Sequence, residues 1–199
     1  MIHKAIWIGA VLATSLLVAC DRVGDMPRNP YDLPRSGEVD VIDVDLVGAI
    51  LGDSIDARRA SDNAPFTIYV ADVIAPHKGQ PWHSESVAAL NEMVKGKRAR
   101  LRIYESIAPP EDNPEYGVTV IGRIYVDGKD LSWELVGSGN AWVWESRSND
   151  AELKKLQNWA RDHRKGLWAL PESEREPPWV YLDKAMRARM QQREGSASN

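Results

Sequence analysis

The sequence predicts a small α+β domain in which five strands form a barrel. Five segments between residues 39 and 126 have the composition of strands, one helical pattern follows the third of them, and two more follow the fifth. Strands collected in one part of a chain, with helices added to them, are typical of this class. The 199 residues leave room for one such domain, a leader and a tail.

The first three strands surround a tight turn. Residues 39–50 alternate apolar and acidic side chains, and Gly52 and Asp53 then predict a turn into a second extended stretch. Residues 66–74 are apolar enough to predict one strand that is buried on both faces.

A helix and two strands follow. Residues 84–96 predict the helix, which ends at a glycine. In the strand at 97–104, Ala99, Leu101 and Ile103 face one way, and three arginines face the other. The last strand, 118–126, runs into an Asp-Gly pair that predicts a hairpin.

The C-terminal part predicts two helices and a tail. A short helix covers 131–139, and a longer one covers 150–166 with an apolar stripe of Leu153, Leu156, Trp159 and Ala160. The tail at 182–199 is polar, and we expect a short amphipathic helix at its start that gives way to a solvated end, with membrane contact as the alternative. We expect most of the eight tryptophans to pack in the core, with a stacking platform for bases as the alternative.

The N-terminus resembles a bacterial lipoprotein signal. Residues 1–19 combine a basic start with an apolar run too short to span a membrane. They end in "LVAC", which is similar to the lipobox that precedes a diacylated cysteine. We therefore expect lipid on Cys20, a flexible tether over 20–38 and a folded domain over 39–181. An ordinary signal peptide or a short anchor helix is the alternative.

Lipidation would place the mature chain outside the cytoplasm, on a membrane of the bacterial cell envelope. Asp21 resembles the signal that retains lipoproteins in the inner membrane. A net charge of −4 argues against a protein that simply coats nucleic acid. We expect the membrane, through Cys20, and an envelope protein as partners.

Several motifs resemble the staphylococcal nuclease, or thermonuclease-like, family across residues 39–181. They are "GDSI", "VIAPHKGQPW", "EYG" followed by "RIYVDGKDLSWELVGSGNAWVW", and "GLW" followed by "PPW". The resemblance implies a five-stranded OB-fold barrel with about three helices. It also implies a calcium-dependent endonuclease, in which two carboxylates hold the metal, a glutamate positions water and two arginines grip the phosphate.

Four of the five catalytic positions implied by this resemblance hold other residues. Asp53 matches the first metal carboxylate, whereas the second falls on Ile74 and the glutamate on His77. The two arginines fall on Tyr69 and Val118. Calcium takes only oxygen ligands, and a tyrosine or valine lacks the cationic fork of arginine. We therefore expect a degenerate site that serves in binding or interaction. The alternative is a metal-dependent nuclease acting on DNA or RNA.

Two further readings stay open for the site. Asp53, Asp72, His77 and His83 offer ligand types that suit a transition metal such as zinc. Asp72 and Ile74 share a predicted strand face, which would bring Asp72 near the metal position. The alternative is that these are solvated loop residues. An alignment shifted by two residues would put Asp72 in the aspartate's place.

Basic side chains offer candidate contacts for an anionic ligand. Arg98, Arg100 and Arg102 form a stripe that can face nucleic-acid phosphates or anionic lipid, and Arg123 lies on a neighbouring strand from which it can reach the phosphate site. The alternative is a solvated strand face balanced by nearby acids.

Overall fold

The computed structural model describes residues 26, 27, 29 and 40–197. The expected signal peptide, the acylated Cys20 and most of the tether lie outside the described residues. The strands are β1 Val41–Leu51, β2 Ser54–Arg59, β3 Pro65–Val70, β4 Val73–Ile74, β5 Arg98–Ile107, β6 Val118–Val126, β7 Lys129–Asp130 and β8 Trp142–Val143. The α-helices are α1 His83–Val94, α2 Leu131–Gly137, α3 Ala151–Asp162 and α4 Pro178–Ala197.

Five strands close into a barrel. Their order is β3-β2-β1-β5-β6, and β3 also pairs with β6 in parallel, from Phe66 opposite Val118 to Val70 opposite Gly122. The predicted α+β class and the five-stranded barrel are therefore confirmed, and the closed topology agrees with the expected OB-fold. Both predicted turns are present, because Leu51 pairs with Ser54 and Val126 pairs with Lys129.

Alternation along the strands fills the barrel with aliphatic side chains. Val44, Ile55, Ile68, Leu101 and Ile124 are fully buried, one from each barrel strand. Fully burying such a side chain contributes roughly 1.5–3 kcal/mol to folding. The barrel interior is therefore an ordinary apolar core, and functional chemistry must lie outside it.

The helices cover the barrel with their apolar sides, and in α3 that side is the predicted stripe. Leu90 and Val94 of α1 are buried, as are Leu153, Leu156 and Ala160 of α3. The C-terminal tail differs from the expectation, because α4 continues without a break through the expected domain boundary at residue 181. Four α-helices, rather than about three, lie in the described part of the chain.

The prediction of one strand over 66–74 is wrong. The chain turns at Ala71 and Asp72, where Asp72 adopts a left-handed φ of 67°, and the segment divides into β3 and β4. β4 leaves the barrel and pairs with β8 instead. Asp72 and Ile74 consequently do not share a strand face.

A second core, rich in tryptophan, lies beside the barrel. Ile74, Trp142 and Trp168 are buried in it. The rings of Trp142 and Trp168 meet edge to face at 4.4 Å, and Trp179 packs on Trp142 at 5.8 Å. These tryptophans therefore have the expected packing role.

A buried ion-pair cluster joins the barrel to the elements around it. The Arg123 guanidinium of β6, 3% exposed, lies 2.7 Å from Asp72, 2.8 Å from Asp150 and 3.4 Å from Asp130. Asp130 also accepts a hydrogen bond from the Trp133 amide at the start of α2. Asp150 caps α3 in the same way. We call Arg123 and its three aspartates the Arg123 cluster.

Asp130 is the most deeply buried carboxylate of the Arg123 cluster. Burial raises the pKa of Asp130, and the neighbouring Arg123 opposes that rise. Without the guanidinium, a carboxylate would remain in an apolar environment with only amide and hydroxyl partners.

Arg123→Ala should therefore lower the free energy of unfolding by about 3–5 kcal/mol, the usual cost of leaving buried charges without their partner. Urea unfolding followed by tryptophan fluorescence measures this change. Arg98→Ala is the matched control, since Arg98 pairs with Asp45 on the exposed surface, where solvent screens the pair, and the substitution should have a much smaller effect. If Arg123→Ala lowered the free energy of unfolding no more than Arg98→Ala does, the Arg123 cluster would not stabilise the fold.

Candidate functional site

A cleft of about 630 Å³ opens between the turn that follows β3, the C-terminal half of β5 and the N-terminal half of β6. Its walls are mainly apolar and aromatic. The residues that carry the argument below are Asp53, Tyr69, Ile74, His77, Tyr104, Glu105, Ile107, Ile121, Trp144, Arg147 and Leu182.

Of the five positions that match the family's catalytic residues, only position 53 holds the residue type that the family implies, an aspartate. Asp53 lies in the β1–β2 turn, is 6% exposed, and accepts a hydrogen bond of 2.9 Å from the backbone N–H of Ala75. Burial raises the pKa of Asp53, and the hydrogen bond from Ala75 and the charge of His77 act against this rise. The Asp53 side chain thus ties the β1–β2 turn to the segment that follows β4.

The arginine positions implied by the resemblance are accessible but uncharged. Tyr69 on β3 is 41% exposed and lines the cleft, and Val118 at the start of β6 is 43% exposed. The two strands are paired, with Tyr69 opposite Ile121 and Val118 opposite Phe66, so Val118 lies about three residues along the strands from Tyr69 and is not among the residues that line the cleft. The two positions therefore hold a phenol ring and an isopropyl group in place of guanidiniums.

The second metal position is closed to an ion. Ile74 is 2% exposed and packs in the tryptophan-rich core. Calcium takes six to eight oxygen ligands, and here Asp53 and the buried Ser54 hydroxyl would supply at most a few of them. The residues present do not fit the calcium site that the family implies.

The four residues considered for a transition metal do not assemble. His83 Nδ1 lies 2.9 Å from the carbonyl oxygen of Pro76, and Asp72 is bound by Arg123. His77 lines the cleft, and its backbone N–H donates a hydrogen bond to Oε1 of Gln80. Within residues 40–197, no three His, Cys, Asp or Glu side chains converge in a way that could hold a metal ion.

The basic candidates also lie away from the cleft. Arg98 pairs with Asp45 through two hydrogen bonds, and Arg100 lies opposite Asp43 of β1. Arg102 is half-buried on the same strand. Arg123 does not reach the phosphate site as expected, because its guanidinium is buried in the Arg123 cluster. None of these four arginines is among the residues that line the cleft.

Sequence reasoning missed most of the cleft wall. Tyr104 and Ile107 come from the end of β5, where the pairing with β6 shifts register between Ile103 and Glu105. Arg147 follows β8 and lies with its guanidinium 4.6 Å above the ring of Trp144, a cation–π contact at the edge of the cleft. Leu182 comes from α4, in the segment expected to be a solvated tail. No local pattern in the sequence marks this wall, because its residues come from β5, the segment after β8 and α4.

The walls of the cleft have a composition that suits the binding of a ligand. Its aromatic and aliphatic walls can exclude water from a ligand, as ligand pockets usually do. Its lining residues include three acidic side chains, Asp53, Asp72 and Glu105, and one arginine, Arg147. Two adjacent guanidiniums and a metal, which would stabilise a phosphorane-like transition state, have no counterpart among the described lining residues.

Comparison with known proteins places the similarity in one family. Residues 54–170 match the model of the staphylococcal nuclease homologues. A protein of Escherichia coli named an uncharacterized endonuclease is 29% identical over 140 residues, which cover 68% of this chain and 82% of that protein. A staphylococcal-like nuclease of Arabidopsis thaliana is 34% identical over 116 residues, or 58% of this chain and 33% of the plant protein.

The raised pKa of Asp53 predicts a pH-dependent stability. Above the ordinary aspartate range near pH 4, the unfolded chain has released a proton that the folded protein still holds, so the free energy of unfolding falls as the pH rises towards the folded pKa. Asp53→Asn removes this titration. The stability of the variant relative to the wild type should therefore increase from pH 4 upwards, by at most about 1.4 kcal/mol per pH unit.

Urea unfolding at a series of pH values measures this difference. Asp56→Asn, on the exposed side of β2, is the control and should show no comparable trend. A constant difference between Asp53→Asn and the wild type across the range would contradict the prediction.

Proposed function

Because the chain belongs to the staphylococcal nuclease family, we propose that it is a membrane-anchored lipoprotein whose nuclease-like domain binds a ligand or partner without hydrolysing phosphodiesters. One observation carries the proposal. The positions that grip phosphate and metal in the family hold Tyr69, Val118 and Ile74, and the remaining acid, Asp53, is buried with a backbone amide as its partner.

The magnitudes of the missing interactions favour a binding role. Removing a single donor that stabilises a transition state typically costs a hundred- to thousandfold in rate. Two cations, one metal carboxylate and the water-positioning glutamate are absent from the matching positions. Even with partial compensation, little catalysis should remain, whereas a cleft of about 630 Å³ is present to hold a ligand.

The anchor follows from the N-terminal sequence. Cys20 ends an apolar run in a lipobox-like context, and the sequence holds no second cysteine with which it could form a disulfide. Two or more acyl chains bind a bilayer stably, since each buried methylene contributes about 0.8 kcal/mol. No helix in the described residues is long and apolar enough to cross a bilayer.

A metal-dependent nuclease is the competing function. It is favoured by the similarity to proteins named as nucleases, among them the uncharacterized endonuclease of Escherichia coli. In this alternative Asp53 would have to serve as a metal ligand and Arg147 as the cation nearest to a bound phosphate, since Arg147 is the one arginine among the lining residues. A single assay separates the two functions.

The full chain, purified in detergent, should show no metal-dependent cleavage of single-stranded DNA or RNA above the level of its Asp53→Ala variant. The physical reason is the loss of the cationic and metal-binding groups from the cleft. Release of acid-soluble nucleotides is measured with calcium, zinc, manganese or a chelator, beside an active family member.

Two variants serve as controls in this assay. Asp53→Ala removes the remaining acid, and Arg147→Gln reports whether the arginine that lines the cleft supports any activity seen. Cleavage that requires a metal and disappears in both Asp53→Ala and Arg147→Gln would overturn the binding proposal and establish the nuclease.

Mass spectrometry of the protein extracted from bacterial membranes should find a mature chain that begins at Cys20 and carries a diacylglycerol thioether. The mature chain with Cys20→Ser should not be obtained, because the lipobox cysteine is both the cleavage site and the acceptor. A processed chain with an unmodified Cys20 thiol would refute the anchor.

A further inference from the structure

Helix α4 is attached to the domain only near its beginning. Trp179 packs on Trp142, and the Tyr181 hydroxyl donates a 3.0 Å hydrogen bond to the carbonyl oxygen of Lys78. Residues 186–193 are all exposed. More than two turns of this helix are therefore exposed to solvent.

An apolar line runs along the extended part of α4. Leu182, Met186 and Met190 are four residues apart, so they lie on one side of the helix, and they are 38%, 56% and 56% exposed. Large apolar side chains exposed in a row are uncommon on a soluble surface and indicate contact with another apolar phase. Leu182 also lines the cleft, so this side of α4 is continuous with the cleft.

Two arginines share the side of the apolar line. Arg189 and Arg193 follow Met186 and Met190 by three positions, and residues three apart are neighbours on a helix surface. The other two basic residues of the segment, Lys184 and Arg187, are engaged with Glu176 and Asp183. We call Leu182, Met186, Arg189, Met190 and Arg193 the outer face of α4.

The charge of this segment has one sign. Residues 184–193 include four basic residues and no acidic one, although the whole chain carries a net charge of −4. Such a local excess attracts an anionic surface by about 1 kcal/mol for each basic side chain near it. Methionine side chains and the stems of arginine can enter the acyl boundary while the guanidiniums remain among the headgroups.

We propose that the outer face of α4 lies on an anionic lipid bilayer and orients the anchored domain on it. This inference rests on the proposed anchor, which keeps the helix near the membrane. Twenty residues separate Cys20 from Asp40, and a chain of that length spans at most roughly 70 Å. Even a weak surface affinity is then sufficient, because the anchor makes the contact intramolecular.

The test uses the full, acylated chain reconstituted in vesicles. Met186→Cys introduces one reactive thiol, since the sulfur of Cys20 is blocked by its lipid, and this thiol is labelled with the environment-sensitive dye NBD. Gln191→Cys is the matched control, because position 191 is exposed and lies about 140° around the helix from position 186. Vesicles contain phosphatidylcholine with or without phosphatidylglycerol.

We expect a blue-shifted NBD emission, quenched by spin-labelled lipid, for position 186 in vesicles that contain phosphatidylglycerol. Position 191 should remain in an aqueous environment. Arg189→Gln with Arg193→Gln should lower the equilibrium constant for contact by roughly thirtyfold, the effect of removing two basic residues from an anionic surface. The matched double variant Lys184→Gln with Arg187→Gln should have a smaller effect, because these cations lie on the other side.

Three results would overturn the inference: equal emission at positions 186 and 191, a shift that does not depend on phosphatidylglycerol, or a shift that appears only when membrane proteins are added. The last would assign the outer face to a protein partner. Failure of the anchor is distinguishable, because an unacylated Cys20 would itself take the label before any vesicle is added. Hydrolysis of DNA would refute the proposed function while leaving the NBD emission unchanged.

Discussion

The Arg123 cluster fixes the relative positions of the barrel, α2, α3 and the turn between β3 and β4. One guanidinium binds three carboxylates, and two of those carboxylates also accept backbone hydrogen bonds at the starts of helices. The positive ends of α2 and α3 partly offset the excess negative charge. The third carboxylate belongs to Asp72, whose carbonyl oxygen also accepts the Trp144 amide. The cleft is framed by elements that this cluster holds.

Around the cleft, the buried charged groups stabilise the structure, whereas apolar side chains line the cleft. Asp53 secures the segment after β4, and Arg123 secures two helices, so neither group is available to a ligand in the form that the family's chemistry needs. The side chains that do meet the cleft are mainly aromatic and aliphatic. A site of this kind discriminates by shape and desolvation more than by charge, which agrees with a protein that binds rather than cleaves.

The sequence was sufficient for the barrel but not for the cleft. Alternating residues in β1 and β5 and the Asp-Gly turn after β6 are local signals, and they predicted strands and a hairpin correctly. The break at Asp72 was missed because an aspartate in left-handed conformation leaves no mark in an apolar run. The partners of Arg123 lie 51, 27 and 7 residues away, and no local pattern connects them. Tyr104, Arg147 and Leu182 converge only through tertiary packing.

Because Ile74 is buried, introducing the family's residue at position 74 would be more costly than introducing it at positions 69 or 118. Tyr69 and Val118 are exposed, so an arginine could enter either position without disturbing the core. An aspartate at position 74 would instead place a charge among Trp142, Trp168 and their neighbours, at a cost of several kcal/mol. Substitution towards the family's residue set would therefore have to follow an order, because the tryptophans must first make room around position 74. Packing in the tryptophan-rich core thus limits which side chains the neighbouring cleft can acquire.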